Sequence, residues 1–261
     1  MNRIQTIVEK EWAEVFKNRI VLFTVAFLPI LFTALPLIIL YTTRGAVSAG
    51  DSTDIPPSFA KACGGITPGE CLQIFLVNQF MILFMMMPLI IPIAIASYSI
   101  VGEKATRSLE PLLATPITTP ELLAGKSLAA AVPAILATWL GFVVFVIGVP
   151  FVGGEPAIIT SILGSVWLTA IFVVGPLMAV MAVNFAIMVS SRVNDPRAAE
   201  QISAVVVVPI LGLMFGQIAG VIALNVQLMM LTALVLAIID VGLIYLGARL
   251  FQRETILTKW K

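Results

Sequence analysis

A chain of 261 residues with 60% hydrophobic positions, 11% charged ones and a mean hydropathy of +1.08 is too apolar for an ordinary soluble domain, in which about a quarter of residues are charged. Its net charge of +1, with no basic patch interleaved with aromatics, argues against a nucleic-acid partner. It contains no His, so the usual general base for a Ser or Cys nucleophile is missing and a metal site lacks its commonest ligand.

In chain order, the first predicted element is a helix over residues 1–19. Ile4, Ile7, Val8, Trp12, Val15 and Phe16 fall on one helical stripe, while Arg3, Gln5, Glu9, Lys10, Glu14 and Lys17 occupy the remaining surface. Such a helix suits the inner headgroup layer, with Trp12 and Phe16 dipping into lipid; packing against the bundle is the alternative. Six spans follow, at about 20–41, 73–100, 127–150, 158–189, 202–224 and 228–247. Each is long enough to cross ~30 Å of hydrocarbon. Residues 42–72 form an external loop between the first two spans, within the unit 20–100. A cytoplasmic loop covers 101–126, the last four spans lie within 127–249, and 250–261 is a cytoplasmic tail. Unpaired backbone groups are excluded from lipid, so the expected fold is an all-α integral membrane protein in one transmembrane domain.

Charge placement sets the expected orientation. Of fifteen Lys and Arg residues, all but Arg44 and Lys61 fall on one side of the six spans. Short loops rich in Lys and Arg stay cytoplasmic, which puts both termini inside the cell membrane. The only cysteines, Cys63 and Cys71, share the external loop. A disulfide there closes a loop worth roughly 2.6 kcal/mol, and two free thiols are the alternative.

The cytoplasmic loop carries the most specific pattern. Glu103 and Arg107 are spaced i,i+4, and Arg107 and Glu110 i,i+3, so opposite charges share a helix face. Leu109, Leu112 and Leu113 form a separate apolar stripe, and Thr115-Pro116 ends the helix. A short helix of this kind suits a groove on a soluble partner, and a solvated connector is the alternative.

The run Gly102-Glu103-Lys104-x-x-Arg107-Ser108-Leu109-Glu110-Pro111-Leu112-Leu113-Ala114-Thr115-Pro116-Ile117, followed by Glu121-Leu122-Leu123-x-Gly125-Lys126, resembles the coupling region of the ABC-2 family. These are membrane subunits of ATP-binding-cassette transporters. The resemblance implies an interfacial helix, six spans and a coupling helix seated in a cytoplasmic ATPase subunit. It assigns the coupling role to Glu103, Arg107, Leu109, Glu110, Leu112 and Leu113. It also implies a homodimer or close heterodimer of permeases in contact with membrane lipid, and ATP and Mg held by the ATPase partner rather than by this chain. Short re-entrant helices before the last span, at 216–227, belong to the same expectation.

Gly125-Lys126-Ser127 looks like the end of a phosphate loop, but Pro120 stands where its first Gly belongs. No ATPase or other enzyme site is therefore expected. Asp240 is the one Asp inside a span, a candidate for substrate, cation or subunit contact or for simple burial between helices. Asn78, Gln79, Asn184 and Gln217 read as helix-packing hydrogen bonds. The expected function is a permease that moves, and by family habit exports, a lipidic, amphipathic or small hydrophobic substrate. The alternative is a stand-alone ion-coupled carrier or an assembly scaffold.

Overall fold

The computed structural model describes residues 3–17, 19–47, 68–105, 117–154 and 156–250. Every regular element among them is helical. Six stretches are long and apolar enough to cross a membrane: Val21–Thr43, Gly69–Glu103, Thr119–Phe151, Pro156–Arg192, Pro196–Ile218 and Val226–Leu250. The all-α membrane fold expected from composition is the fold observed.

The helices that flank the first two long connections extend further than the sequence pattern suggested. Helix α1 covers Arg3–Lys17 and α2 covers Arg19–Val47. Helix α3 starts at Pro68, so the loop expected over 42–72 is helical at both ends. Helix α4 runs Met87–Ala105 and α5 runs Thr119–Phe151. The connection expected over 101–126 is thus confined to about 106–118, and Gly125-Lys126-Ser127 lies within a helix. Apolar periodicity missed these extensions because their added turns carry charge.

Three spans change geometry in the turn before a proline. Proline has no N–H and its ring crowds the carbonyl four residues back. Helix α3 stops at Phe84, and Met85 and Met86 form a turn before Pro88. The fourth span runs through α6 (Pro156–Ile162) and α7 (Ser165–Thr169) into a π-turn at Ala170–Val174, just ahead of Pro176 in α8 (Gly175–Arg192). The fifth runs from α9 (Pro196–Ser203) through a 3-10 turn at Ala204–Val207 to α10 (Val208–Ile218), which contains Pro209. Pro29, Pro36, Pro92 and Pro133 sit in continuous helices.

Helix α10 ends at Ile218, short of the expected Leu224. Gly220 takes a left-handed φ of 70°, and the N–H groups of Val221 and Ile222 turn back to the Gly216 carbonyl. Residues 219–225 form a turn and a non-helical stretch, without the short helices expected at 216–227, before α11 begins at Val226 and runs to Leu250.

Helices α4, α5 and α8 form the centre. Lipid offers no hydrophobic drive between spans, so close packing of small residues has to hold them. Gly175, Ala179, Ala182, Ala186 and Ser190 make such a buried stripe on α8, the helix most extensively packed on α4. At its end the Ser190 hydroxyl donates to the Ser97 carbonyl at 2.8 Å and accepts from the Val101 N–H at 3.1 Å. It bridges the two ends of one helical turn of α4. Helix α1 packs on α5, α2 crosses α5 and α3, and α11 packs on α8.

Candidate functional site: a buried charge cluster

Helix α1 and both ends of the 106–118 connection meet at one end of the bundle, here called its base. Helix α5 starts there for local reasons. Thr118 is its N-cap, and the Thr118 N–H reaches the Glu121 carboxylate at 2.8 Å while the Glu121 N–H reaches Thr118 Oγ1 at 3.4 Å. This is a reciprocal capping box, with Pro120 in the first turn, where its missing N–H is not needed. One turn on, Leu122 is buried. At Gly125 an added Cβ would lie 2.7 Å from Ile7 Cγ2, so only glycine admits α1 this close.

Lys126 follows, its side chain 1% exposed. Its Nζ donates to Glu11 Oε1 at 2.7 Å and to Ser99 Oγ at 2.8 Å, and lies 3.1 Å from Glu103 Oε1. Ser99 Oγ donates in turn to Glu11 Oε2 at 3.2 Å. Lys10 Nζ donates to Glu103 Oε1 at 2.7 Å. Two ammonium groups and two carboxylates from α1, α4 and α5 therefore balance one another. Burial works against the Lys10 charge, but the hydrogen bond and charge of Glu103, with Glu14 and Glu11 behind it, outweigh it and hold the pKa above its ordinary 10.5.

Contacts above and below the cluster fix α1 against the first turns of α5. Arg3 lies 3.6 Å from Glu121, and Trp12 Nε1 donates to the Ala129 carbonyl at 2.9 Å. Trp12 is thus held against α5, the contact that packing of α1 on the bundle calls for. On its open flank Ile4, Val8 and Trp12 line a groove of about 530 Å³ with Leu128, Val132, Gln5 and Glu9.

The charges of Lys10, Glu11, Glu103 and Lys126 neutralise one another where α1, α4 and α5 pack. Removing one partner of a buried ion pair strands a charge and costs about 3–5 kcal/mol, so these contacts hold α1, α4 and α5 to one another.

Residues 5–254 match the family described as ABC-2 family transporter protein. The chain belongs to the ABC-2 family. No curated relative matches it. It is accordingly a multi-pass membrane permease subunit of an ABC transporter, and the family's membrane domain is the permease rather than the ATPase. ABC-2 membrane subunits generally pair with an ATP-binding subunit.

Within this ABC-2 chain the sequence-predicted residues fall in several places. Glu103 is in the cluster, where its described ion-pair partners are Lys10 and Lys126. Arg107, Leu109, Glu110, Leu112 and Leu113 lie outside the described residues. Cys71 is buried and disulfide-bonded, and Cys63 lies outside the described residues. Asp240 is 5% exposed on the stripe Met229, Ala233, Leu236, Asp240 and Gly247 that α11 turns inward. Neither of its oxygens has a hydrogen-bond partner among the described residues. Asn78 and Asn184 bond to other helices through Trp167 and Ser127, whereas Gln79 finds no partner among the described residues.

Sequence reasoning passed over Glu11, Ser99, Ser190 and the buried role of Lys126. One signal was present: Glu11 is four residues after Ile7, so it falls on the apolar stripe of α1.

Proposed function

We propose that this permease exports a lipidic, amphipathic or small hydrophobic substrate, driven by ATP that a separate cytoplasmic subunit hydrolyses with Mg. The segment 106–116 is the docking element, with Arg107, Leu109, Glu110, Leu112 and Leu113 as its contacts. The base of the bundle faces the cytoplasm, and two permease copies work as a pair. The observation that carries this reading is the Lys126–Glu11–Glu103 cluster. It lies between the end of α4 and the start of α5, the two helices that lead into and out of the docking segment. A push on that segment passes through the cluster into α1, α4 and α5 together, and through Ser190 into α8.

The test is purification of the tagged chain in mild detergent from its native host, with mass spectrometry of what accompanies it. The reading predicts a near-stoichiometric cytoplasmic protein with a phosphate loop. Recovery of this chain alone after crosslinking, in several detergents, would contradict it.

A further inference from the structure

Helix α1 climbs the first turns of α5 in parallel with it. Arg3 pairs with Glu121, Ile7 fits against Gly125 and Trp12 donates to the Ala129 carbonyl, so contacts on the two helices advance together. The 33 residues of α5 span about 50 Å, well over the ~30 Å of hydrocarbon. The surplus lies at the base, where α5 carries Glu121 and Lys126. The α1 contact therefore falls where the head groups of the adjoining leaflet meet its acyl chains, a level that Trp12 suits.

The groove of about 530 Å³ between these two helices is open to that boundary, and it has a direction. Its polar groups, Glu9 and Gln5, lie one and two turns to the base side of Trp12. Val8 and Trp12 line it together with Leu128 and Val132. Leu136 and Leu140, 55% and 67% exposed, continue the α5 row into the hydrocarbon.

Glu9 is exposed, and Gln5 Nε2 donates to its Oε1 at 3.1 Å, which steadies the carboxylate at the lip of the groove. Among the described residues Glu9 is the only charged side chain that lines the groove. The cations nearest to it on α1 are directed elsewhere, Arg3 to Glu121 and Lys10 to Glu103. A carboxylate only accepts, so it calls for a cationic donor. The matching occupant is amphipathic, with an ammonium at its base end and a hydrocarbon chain toward the membrane.

We infer that this groove holds one phosphatidylethanolamine of the adjoining leaflet, its primary ammonium donating to Glu9 and an acyl chain lying against Val8, Trp12, Leu128 and Val132. An anionic lipid would bring a second negative charge to Glu9, and a choline head has no N–H to donate. The inference rests on the seat of α1 and not on transport, because its test uses the permease chain alone.

The test is photocrosslinking of the full chain in nanodiscs with phosphatidylethanolamine that carries a diazirine in one acyl chain, the labelled positions being mapped by mass spectrometry. Unlabelled phosphatidylethanolamine, phosphatidylcholine and phosphatidylglycerol serve as competitors. The expected result is label at Trp12, Leu128 or Val132 that the ethanolamine lipid displaces best and the glycerol lipid least. Glu9→Gln, an isosteric change at an exposed site, should reduce the preference for ethanolamine over choline lipid about threefold, the scale of one exposed ion pair. Val132→Trp, which fills the groove, should abolish the label there and leave it on the exposed face of α11 at Val241 and Ile244. Label on α11 with none in the groove, preference for the glycerol lipid, a preference unchanged by Glu9→Gln, or groove label that persists in Val132→Trp would overturn the inference. Crosslinks from the groove to a second permease copy in place of lipid would also overturn it, and would assign the groove to a subunit contact.

Discussion

Lys126 on α5 and Glu11 on α1 meet at 2.7 Å, with side chains 1% and 7% exposed. A pair this buried has lost its hydration, and each partner is tolerable only beside the other. Lys126→Met alone should therefore cost about 3–5 kcal/mol, read as a lowered thermal midpoint in detergent. Lys126→Met with Glu11→Met should recover most of that loss, since Lys10 and Glu103 remain as a balanced pair. Singles that melt with the wild type would refute the buried-pair account.

Gly125 makes a second prediction at the same helix contact. A methyl there would strike Ile7 at both Cγ2 and Cβ, at 2.7 and 2.8 Å, and Ile7 Cβ has little room to move. Gly125→Ala should destabilise by about 1–3 kcal/mol. Trimming Ile7 to alanine would keep its Cβ and so cannot relieve the contact, and the loss is read on Gly125→Ala alone in the same melting assay. An unchanged midpoint would show that α1 is not seated as described.

Lys10 gives a pH dependence whose sign follows from its raised pKa. A cation held above its ordinary 10.5 contributes stability fully below that value, and loses it as pH rises through the folded-state pKa. The link between α1 and Glu103 should therefore be insensitive to pH from neutral to about 10 and weaken only above. Lys10→Met should remove that alkaline limb from melting curves taken across the range. A limb that persists in the variant belongs to another group.

Asp240 gives the opposite expectation to the cluster. Its carboxyl is buried with no hydrogen-bond partner among the described residues, so it brings desolvation cost without a matched contact. Asp240→Asn should hold or raise the thermal midpoint of the isolated permease. If transport by the assembled system falls while the midpoint does not, the residue is retained for function. A fall in the midpoint of several degrees would show that the carboxyl supports the fold.

The number and rough placement of the spans were legible because hydropathy over some twenty residues is what a ~30 Å layer selects. Helix ends were less so. Thr118-x-x-Glu121 is a capping-box pattern that places the start of α5 at Thr119, yet apolar periodicity alone began that span at Ser127. The irregular turns before Pro88, Pro176 and Pro209 also had a sequence signal, but Pro29, Pro36, Pro92 and Pro133 carry the same signal in continuous helices. The cluster was the hardest to read. Glu11 and Lys126 are far in the chain from each other and from Ser99 and Glu103, which sit one turn apart on α4, and only the packing of α1 and α5 on α4 makes them one group.

The central claim is that motion of the docking segment reaches the spans through Lys126, Glu11 and Glu103. Its most direct measurement is ATP hydrolysis by the co-purified ATPase subunit, assembled in liposomes with wild-type permease or with the Glu11→Met, Lys126→Met double variant. With equal melting and equal subunit association, the account predicts that permease-dependent stimulation falls at least about tenfold in the double variant, a loss of about 1.4 kcal/mol of coupling. Undiminished stimulation would contradict it.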